Sequence, residues 1–228
     1  MATNFPTSVD ALTNPVSNDS LNSPSHSAQH ANANDAIEAI EGYLLTGAGA
    51  SGLVKLIPTS ATNATVAANG DVTIGSAVSS VIINGAFTSA YEAYKIVISN
   101  VTMSSTISGT SIFMRMYSGS PVGANYNYGI PRVDLATGSV SSYFAAAGTN
   151  GILIGTGTGD KFGTNFDVTN PFLATHTIFT GISVSQITTG YTGAGAGMHQ
   201  ASTSYADFDI RPSTGTLTGG TIRIYGYK

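Results

Sequence analysis

Two histidines, His26 and His30, lie four residues apart in a segment whose apolar residues repeat with a helical period. Residues at this spacing share one face of an α-helix, and two imidazoles on one face can act together as metal ligands. In a trimer, each histidine would form a ring of three imidazoles that could hold a cation or an anion such as chloride. The favoured alternative is that both are neutral spacers hydrogen-bonded to Ser or Asn neighbours. We therefore predict no metal and no cofactor, and keep His26 and His30 as the candidate ligands should a metal bind.

A pair of carboxylates, Asp207 and Asp209, is the combination that a glycosidase would need. Such an enzyme also requires an environment that raises the pKa of one of them. The intervening Phe208 and the following Ile210 are expected to point inward, so both aspartates should face water, with Arg211 aligned to neutralise them. This pattern predicts a solvated strand face and no catalytic residue.

Three glycine-rich runs resemble phosphate-binding loops but have the wrong surroundings. Residues 47–52 satisfy G-x-G-x-x-G, yet this run follows a helix and precedes a strand, the reverse of the order that aims a helix N-terminus at a pyrophosphate. Residues 155–159 and 193–197 have no helix after them and are predicted to be mobile loops. These runs give no support to an enzyme.

Aromatic and amide residues in predicted loops form the candidate binding site. Tyrosine rings stack on the C–H face of a sugar, and amides bind its hydroxyl groups. The alternative is that the rings cap the end of a β-sandwich or fill a trimer axis. The candidate contacts to a host surface glycan or receptor are Asn125, Tyr126, Asn127, Tyr128, Tyr191 and His199.

The histidine pair belongs to a helix predicted over residues 25–45. Ser23-Pro24 supplies an N-cap and a preset first turn, and Thr46-Gly47 supplies the stop. Its apolar stripe repeats at alternating gaps of four and three, which is a coiled-coil pattern, and isoleucine at both core positions favours three or more strands. The alternative is an amphipathic helix lying on its own β domain. The predicted axis of a homotrimer consists of His26, His30, Ala33, Ile37, Ile40 and Leu44.

The rest of the chain divides by composition into three parts. Residues 1–24 are polar and broken by proline, and we expect an extended arm; residues 46–52 form a glycine-rich joint. From residue 53 to 228 the apolar period becomes two, which predicts about eight to ten strands in a mainly β domain, an antiparallel sandwich of jelly-roll type. Type I′ hairpins are predicted at Asn69-Gly70 and Asn150-Gly151. The clearest predicted strands are 95–99, 112–117, 177–187, 205–211 and 221–227.

Composition excludes several partners. Only 9% of residues are charged, the net charge is −4, and the eight Lys and Arg residues form no basic stripe, so nucleic acid is not expected as a partner. There is no cysteine for disulfides or thiolate metal sites. No signal peptide or membrane-spanning run is recognisable, so we expect no membrane insertion and assembly in a cytoplasm.

The N-terminal region resembles a known family. The runs at 5–10, 19–26 and 34–40 are similar to the N-terminal segment of minor structural proteins of tailed bacteriophages. The runs at 87–91, 94–99 and 220–226 look like the β domain that follows it in many of them. The resemblance implies an arm attached to other virion proteins, a coiled-coil stalk and a β head. The apolar residues predicted to attach the arm are Phe5, Pro6, Val9 and Leu12.

These features predict a virion protein, a tail fibre or adhesin that binds the host surface through several weak head contacts on one trimer. A capsid head fibre or decoration protein of the same architecture is the alternative. A polysaccharide-cleaving tailspike is the third hypothesis, but a catalytic β-helix would need a longer chain and a regular repeat, and the sequence has no such repeat.

Overall fold

A computed structural model describes residues 26–45, 52–105, 110–157, 161–185 and 190–228. The chain separates into two compact units, Met1–Gly52 and Leu53–Lys228. The first unit is described through its helix. The predicted arm and its attachment residues, and nearly all of the predicted joint, lie outside the described residues.

The helix of the first unit, α1, spans His26–Leu45 and matches the predicted range to within one residue. Of the predicted axis, His26, His30 and Ala33 have exposed side chains. Ile37 is 53% exposed and Ile40 is 44% exposed, while the side chain of Leu44 lies outside the described part. Solvent therefore reaches an apolar stripe along the helix in the single chain.

The second unit is mainly β, as predicted, with no helix among its described residues, but these residues form sixteen strands where eight to ten were expected. The strands are β1 Leu53–Lys55, β2 Ser60–Thr62, β3 Ala64–Val66, β4 Val72–Ile74, β5 Val81–Asn84, β6 Ala93–Met103, β7 Thr110–Tyr117, β8 Tyr126–Asp134, β9 Val140–Gly148, β10 Ile152–Gly157, β11 Lys161–Thr169, β12 Thr177–Ser185, β13 Tyr191–His199, β14 Asp207–Pro212, β15 Leu217–Thr218 and β16 Thr221–Tyr227.

These strands form two antiparallel sheets. The large sheet has the order β3-β4-β16-β6-β11-β12-β13-β8-β9, with β1 beside β16 and β15 beside β6. The small sheet has the order β10-β7-β14-β5-β2. Since β2, β5, β7, β10 and β14 alone belong to the small sheet, the chain passes repeatedly between the two. Side chains from both sheets form one buried apolar cluster, as expected for a β-sandwich.

The alternation of apolar and polar residues places the core. In β6, Tyr94, Ile96 and Ile98 are buried, whereas the residues between them are half-buried. In β16, Ile222 and Ile224 are buried in the same way. Side chains alternate across a strand, so the inner faces of these strands meet the small sheet.

The five clearest strand predictions are confirmed in β6, β7, β12, β14 and β16, with shifted ends. The predicted strand 177–187 is described as far as Ser185, and the one predicted from residue 205 begins at Asp207.

The two predicted hairpins have different outcomes. β3 and β4 pair around Asn69-Gly70, but only Gly70 has a positive φ, of 82°, whereas a type I′ turn needs two such residues. The amides of Gly70 and Ala67 donate to the oxygens of Ala67 and Asp71, respectively, so the connection is a longer, bulged turn. The prediction of a hairpin at Asn150-Gly151 was wrong. β9 pairs with β8 and β10 with β7, so this dipeptide carries the chain from one sheet to the other.

The prediction that the glycine runs at 155–159 and 193–197 are loops was also wrong for the described residues. β10 includes Gly155 and Gly157, and β13 contains the whole second run. A Cβ on Gly197 would lie 2.5 Å from the Asn127 carbonyl oxygen and 2.9 Å from Ile152 Cδ1. Glycine is needed here for space between packed strands, a requirement that loop-like composition hides.

We predict that Gly197→Ala lowers the free energy of unfolding by about 1–3 kcal/mol, the usual cost of overpacking. Gly129→Ala is the matched control, because this glycine lies in the adjacent strand β8 and a Cβ added there would have no neighbouring atom within 4 Å. It should change stability by about 0.5 kcal/mol or less. Urea unfolding measures both. Equal stability of the two variants would contradict the packing argument.

Candidate functional site

Two of the six candidate binding residues, Tyr126 and His199, are buried, so the prediction that they face a ligand in a loop was wrong. Both are 0% exposed and lie in strands β8 and β13. The Tyr126 hydroxyl accepts a hydrogen bond of 2.9 Å from the Met116 amide, and its ring lies 4.6 Å from the His199 ring. Tyr205 closes the other side, with its ring 5.4 Å from His199. These residues form an aromatic cluster inside the sandwich.

Burial changes the acid–base behaviour of this cluster. It raises the pKa of the Tyr126 hydroxyl and lowers the pKa of His199, because a charged form would lose its hydration. The backbone of Ala124 favours the protonated imidazole, but burial outweighs it. Neither ring nitrogen of His199 makes a well-formed hydrogen bond. His199 is therefore a neutral core residue at neutral pH.

The other four candidates are nearer the surface, but the prediction of a loop was wrong for Asn127, Tyr128 and Tyr191, which lie in β8 and β13. Asn125 is exposed and has a left-handed backbone, with φ 64°. Asn127 is half-buried and accepts a hydrogen bond from the Ala147 amide. Tyr128 is half-buried against the core, and burial raises its pKa. Tyr191 is half-buried at the start of β13.

Tyr191 belongs to a cluster that the sequence did not reveal. The guanidinium carbon of Arg132 lies 4.1 Å from the centre of the Tyr191 ring and 4.2 Å from that of Tyr143, so the cation stacks between two aromatic faces. Arg132 Nε donates to Ser141 Oγ at 2.9 Å. The three side chains come from β8, β9 and β13, and only the register of these strands brings them together. We call Arg132, Tyr143 and Tyr191 the Arg–Tyr cluster.

The Arg–Tyr cluster has the chemistry of a saccharide contact. All three side chains are half-buried, so solvent reaches part of each of them. Aromatic rings offer faces for C–H groups, and a guanidinium is a donor to hydroxyl or carboxylate oxygens. Of the Arg132 nitrogens, Nε already binds Ser141 and Nη1 is buried. Of the residues that sequence analysis selected, Tyr191 alone contributes to it.

The face of the large sheet that points away from the core carries exposed apolar side chains. Ile182 is 61% exposed, Phe144 80% and Val140 75%. Cross-strand pairing joins Thr180 to Ala196, Ala196 to Gly129 and Gly129 to Phe144, so these residues form a continuous row on one side. We call this surface the outer apolar face. Its exposed apolar side chains are Val140, Phe144, Ile178, Ile182, Val184, Ala194 and Ala196.

The outer apolar face is uneven. Shallow depressions of about 300 and 390 Å³ flank the protruding Ile182. Small residues such as Ala194 and Gly195 line the larger one, and the Lys95–Asp167 ion pair, at 3.0 Å, lies at its edge. Shallow depressions on both sides of a protruding apolar side chain are better shaped to contact another protein surface than to bind a small polar ligand.

The carboxylates Asp207 and Asp209 do not form a catalytic pair. Asp209 is 1% exposed, so the prediction that it faces water was wrong. Both of its oxygens accept hydrogen bonds from Arg115, which pairs with it across β7 and β14. Arg211, the predicted neutralising partner, donates to Asn150 instead. Asp207 accepts a 2.7 Å hydrogen bond from the Gly85 amide, which gives it a structural role.

The histidines of α1 meet as their spacing predicts. His30 Nε2 lies 3.0 Å from His26 Nε2, and both side chains are exposed. Among the described residues, no three His, Cys, Asp or Glu side chains gather as a potential metal site. Within the same part of the chain, no helix is long and apolar enough to cross a bilayer.

We predict that the buried His199 makes stability depend on pH. Its pKa is lowered in the folded state, whereas the unfolded value is about 6.5. Below that pH the unfolded chain binds a proton that the folded chain does not, so stability is lost as pH falls from about 7 to 5. His199→Phe should flatten this part of the profile, measured by urea unfolding.

His176→Gln is the control. His176 is exposed, and its charge is the smallest of the causes acting on His199, so this variant should keep most of the slope. An unchanged slope in His199→Phe would show that another group is responsible.

No protein-family model matches this chain, and no curated protein matches it. Among solved structures, it has a remote likeness to the binding domain of botulinum neurotoxin DC in complex with SialylT, with 8% identity and a TM-score of 0.22. A second structure, HCR/D-Sa-GBL1/C, has 9% identity and a TM-score of 0.21. The matches cover 75% of this chain but only 42% and 43% of those chains, so this chain spans less than half of their length. Scores this low carry no argument about its function.

Proposed function

We propose that this chain is a structural protein of a tailed-bacteriophage virion, a homotrimeric tail fibre or adhesin that attaches to the host surface. The observation that carries the proposal is the presence of uncovered apolar surface on both units, along α1 and on the outer apolar face. Monomeric proteins rarely expose large apolar patches unless a partner covers them. The resemblance of the N-terminal segment to phage structural proteins supplies the biological setting.

The first surface supports a trimeric coiled coil. The exposed Ile37 and Ile40 occupy successive core positions of the four–three repeat. Fully burying such a side chain stabilises an assembly by about 1.5–3 kcal/mol, and isoleucine at both positions favours three strands or more. A helix of 20 residues is marginal alone, so the β unit must contribute to assembly.

The second surface supplies that contribution. We propose that copies of the chain cover one another's outer apolar face, with Ile182 and Phe144 near the centre of the contact. The Lys95–Asp167 ion pair is already satisfied within one chain, so burying the surface beside it leaves neither of these two charges unmatched. The repeated passage of the chain between the sheets supports a sandwich of jelly-roll type.

Host attachment is assigned to the Arg–Tyr cluster, which lies at the end of β8 away from the exposed Asn125, so Asn125 is not part of it. The ligand class is a surface glycan, because the cluster combines aromatic faces with charged donors. Attachment to other virion proteins is assigned to residues 1–24, where Phe5, Val9 and Leu12 are apolar anchors in a polar segment. A polar segment of this composition can bury those anchors against a partner.

We predict that Ile37→Asp with Ile40→Asp weakens the trimer, because charges at the axis cost several kcal/mol per ion to bury. Ala28→Asp with Ala31→Asp is the matched control. It adds the same charge at exposed positions of α1 outside the repeat and should leave the oligomer intact. Light scattering measures the mass of each variant. A monomeric wild type would contradict the trimer, and a stable trimer of the Ile variant would assign assembly to the β unit alone.

We predict that deleting residues 1–22 leaves a folded trimer that no longer joins the virion. The expected result is normal mass by light scattering together with loss of the chain from purified particles by immunoblot. The full-length chain, labelled with gold, should lie on the tail by electron microscopy. Label on the capsid would favour the head-fibre alternative, and particles carrying the truncated chain at normal copy number would contradict attachment through the arm.

A further inference from the structure

The first two turns of α1 hold an imidazole pair with the geometry of a chelate. His26 and His30 have their Nε2 atoms 3.0 Å apart, with ring centres 4.5 Å apart and planes inclined by 74°. Both rings are exposed, so an ion can reach them from solvent. The two Nε2 atoms lie side by side and face each other.

We propose that His26 and His30 form a bidentate site for a divalent late first-row transition-metal ion, such as Ni²⁺ or Cu²⁺. A metal–imidazole bond is about 2.1 Å long, so two nitrogens bound at a right angle lie about 3.0 Å apart. That separation matches the pair, whereas a tetrahedral ion would hold its ligands about 3.4 Å apart. Octahedral and square-planar ions have right angles between adjacent ligands, and imidazole suits both metals.

The metal ion can replace the hydrogen bond between the two rings without a change in the net charge of either ring. The 3.0 Å contact between the two Nε2 atoms fits a hydrogen bond in which one imidazole donates its Nε2–H to the Nε2 of the other. When the ion binds, that proton occupies Nδ1 of the same ring, and both Nε2 lone pairs face the metal. Each imidazole remains neutral and keeps one N–H, so the metal replaces an internal hydrogen bond.

One opposing effect is small. The N-terminus of a helix carries partial positive charge and disfavours a cation, but this lowers affinity by only about fivefold at an exposed site. The remaining coordination positions are open to water, since no third His, Cys, Asp or Glu joins the pair among the described residues. Where α1 assembles as a trimer, imidazoles of other copies can take those positions. That extension rests on the proposed function, whereas the bidentate site needs one chain.

The consequence is a metal-stabilised helix end. The two nitrogens converge only when residues 26–30 are helical, so the ion binds the folded turn and not the unfolded chain. Selective binding of this kind raises the melting temperature with ion concentration. The histidines belong to the same four–three repeat as Ile37 and Ile40. The ion would therefore also hold the first turn of that repeat in helical conformation.

The test is titration of the full chain, without a polyhistidine tag, with NiCl₂ at neutral pH by calorimetry. We expect saturable binding at one ion per chain, or one per three chains, and stronger helical circular dichroism with the metal. His30→Ala should reduce affinity at least tenfold. His176→Gln should bind as the wild type does, because His176 lies outside the pair.

A spacing control keeps the number of histidines constant. Ala28→His combined with His30→Ala places two imidazoles two residues apart, on different sides of the helix, and should bind as weakly as His30→Ala alone. Equal affinity of this variant and the wild type, or no binding by the wild type at millimolar Ni²⁺, would overturn the proposal. Light scattering without metal keeps the two proposals separate, since it reports the trimer independently of the ion.

Discussion

The alternation of side chains in the large sheet is the constraint on which the rest of the β unit depends. In β12, Thr177 and Phe179 point to the core, so Ile178, Ile182 and Val184 must point to the other side. A register shift of one residue would exchange the two sets and expose the core. The outer apolar face is therefore fixed by the same pairing that builds the sandwich.

The inward positions of β13 are occupied by glycines because there is no room for a side chain on this part of the inner face. Gly193, Gly195 and Gly197 face the small sheet, and a Cβ on any of them would meet the backbone of β8. The lack of side chains at these glycines lets β10 lie close to the sheet, next to Ile130 and Phe179. Alanines occupy the outward positions between these glycines. Their small side chains leave shallow depressions on the outer apolar face between its larger residues.

Several charged residues of the β unit form ion pairs that link neighbouring strands. Asp71 accepts hydrogen bonds from Lys55 and Arg223, and these contacts, that of Lys55 first, hold its pKa below the ordinary value. The two donors come from β1 and β16, so one carboxylate joins neighbouring strands. Asp209 joins β14 to β7 through Arg115. Carboxylates tied to cations in this way are poor candidates for acid–base catalysis.

How far the sequence predicts the structure depends on whether a feature is local. The caps and period of α1 and the alternation in β6 and β16 are local signals, and they predicted these elements well. The partner of β10, the burial of Tyr126 and the meeting of Arg132 with Tyr143 and Tyr191 depend on pairing between distant strands. Asn150-Gly151 shows the limit most clearly, because a strong turn signal cannot tell a hairpin from a passage between sheets.

Under the proposed function, assembly and recognition use different faces of the large sheet. Arg132 pairs with Gly193, an inner-face position, so the Arg–Tyr cluster lies on the opposite side of the sheet from Ile182 and Phe144. A partner copy that covers the outer apolar face therefore leaves the cluster accessible. The proposed trimer has three such clusters, and linked weak contacts raise the overall avidity by orders of magnitude. Under the proposed function, a modest affinity at each cluster is sufficient, and no deep pocket is required.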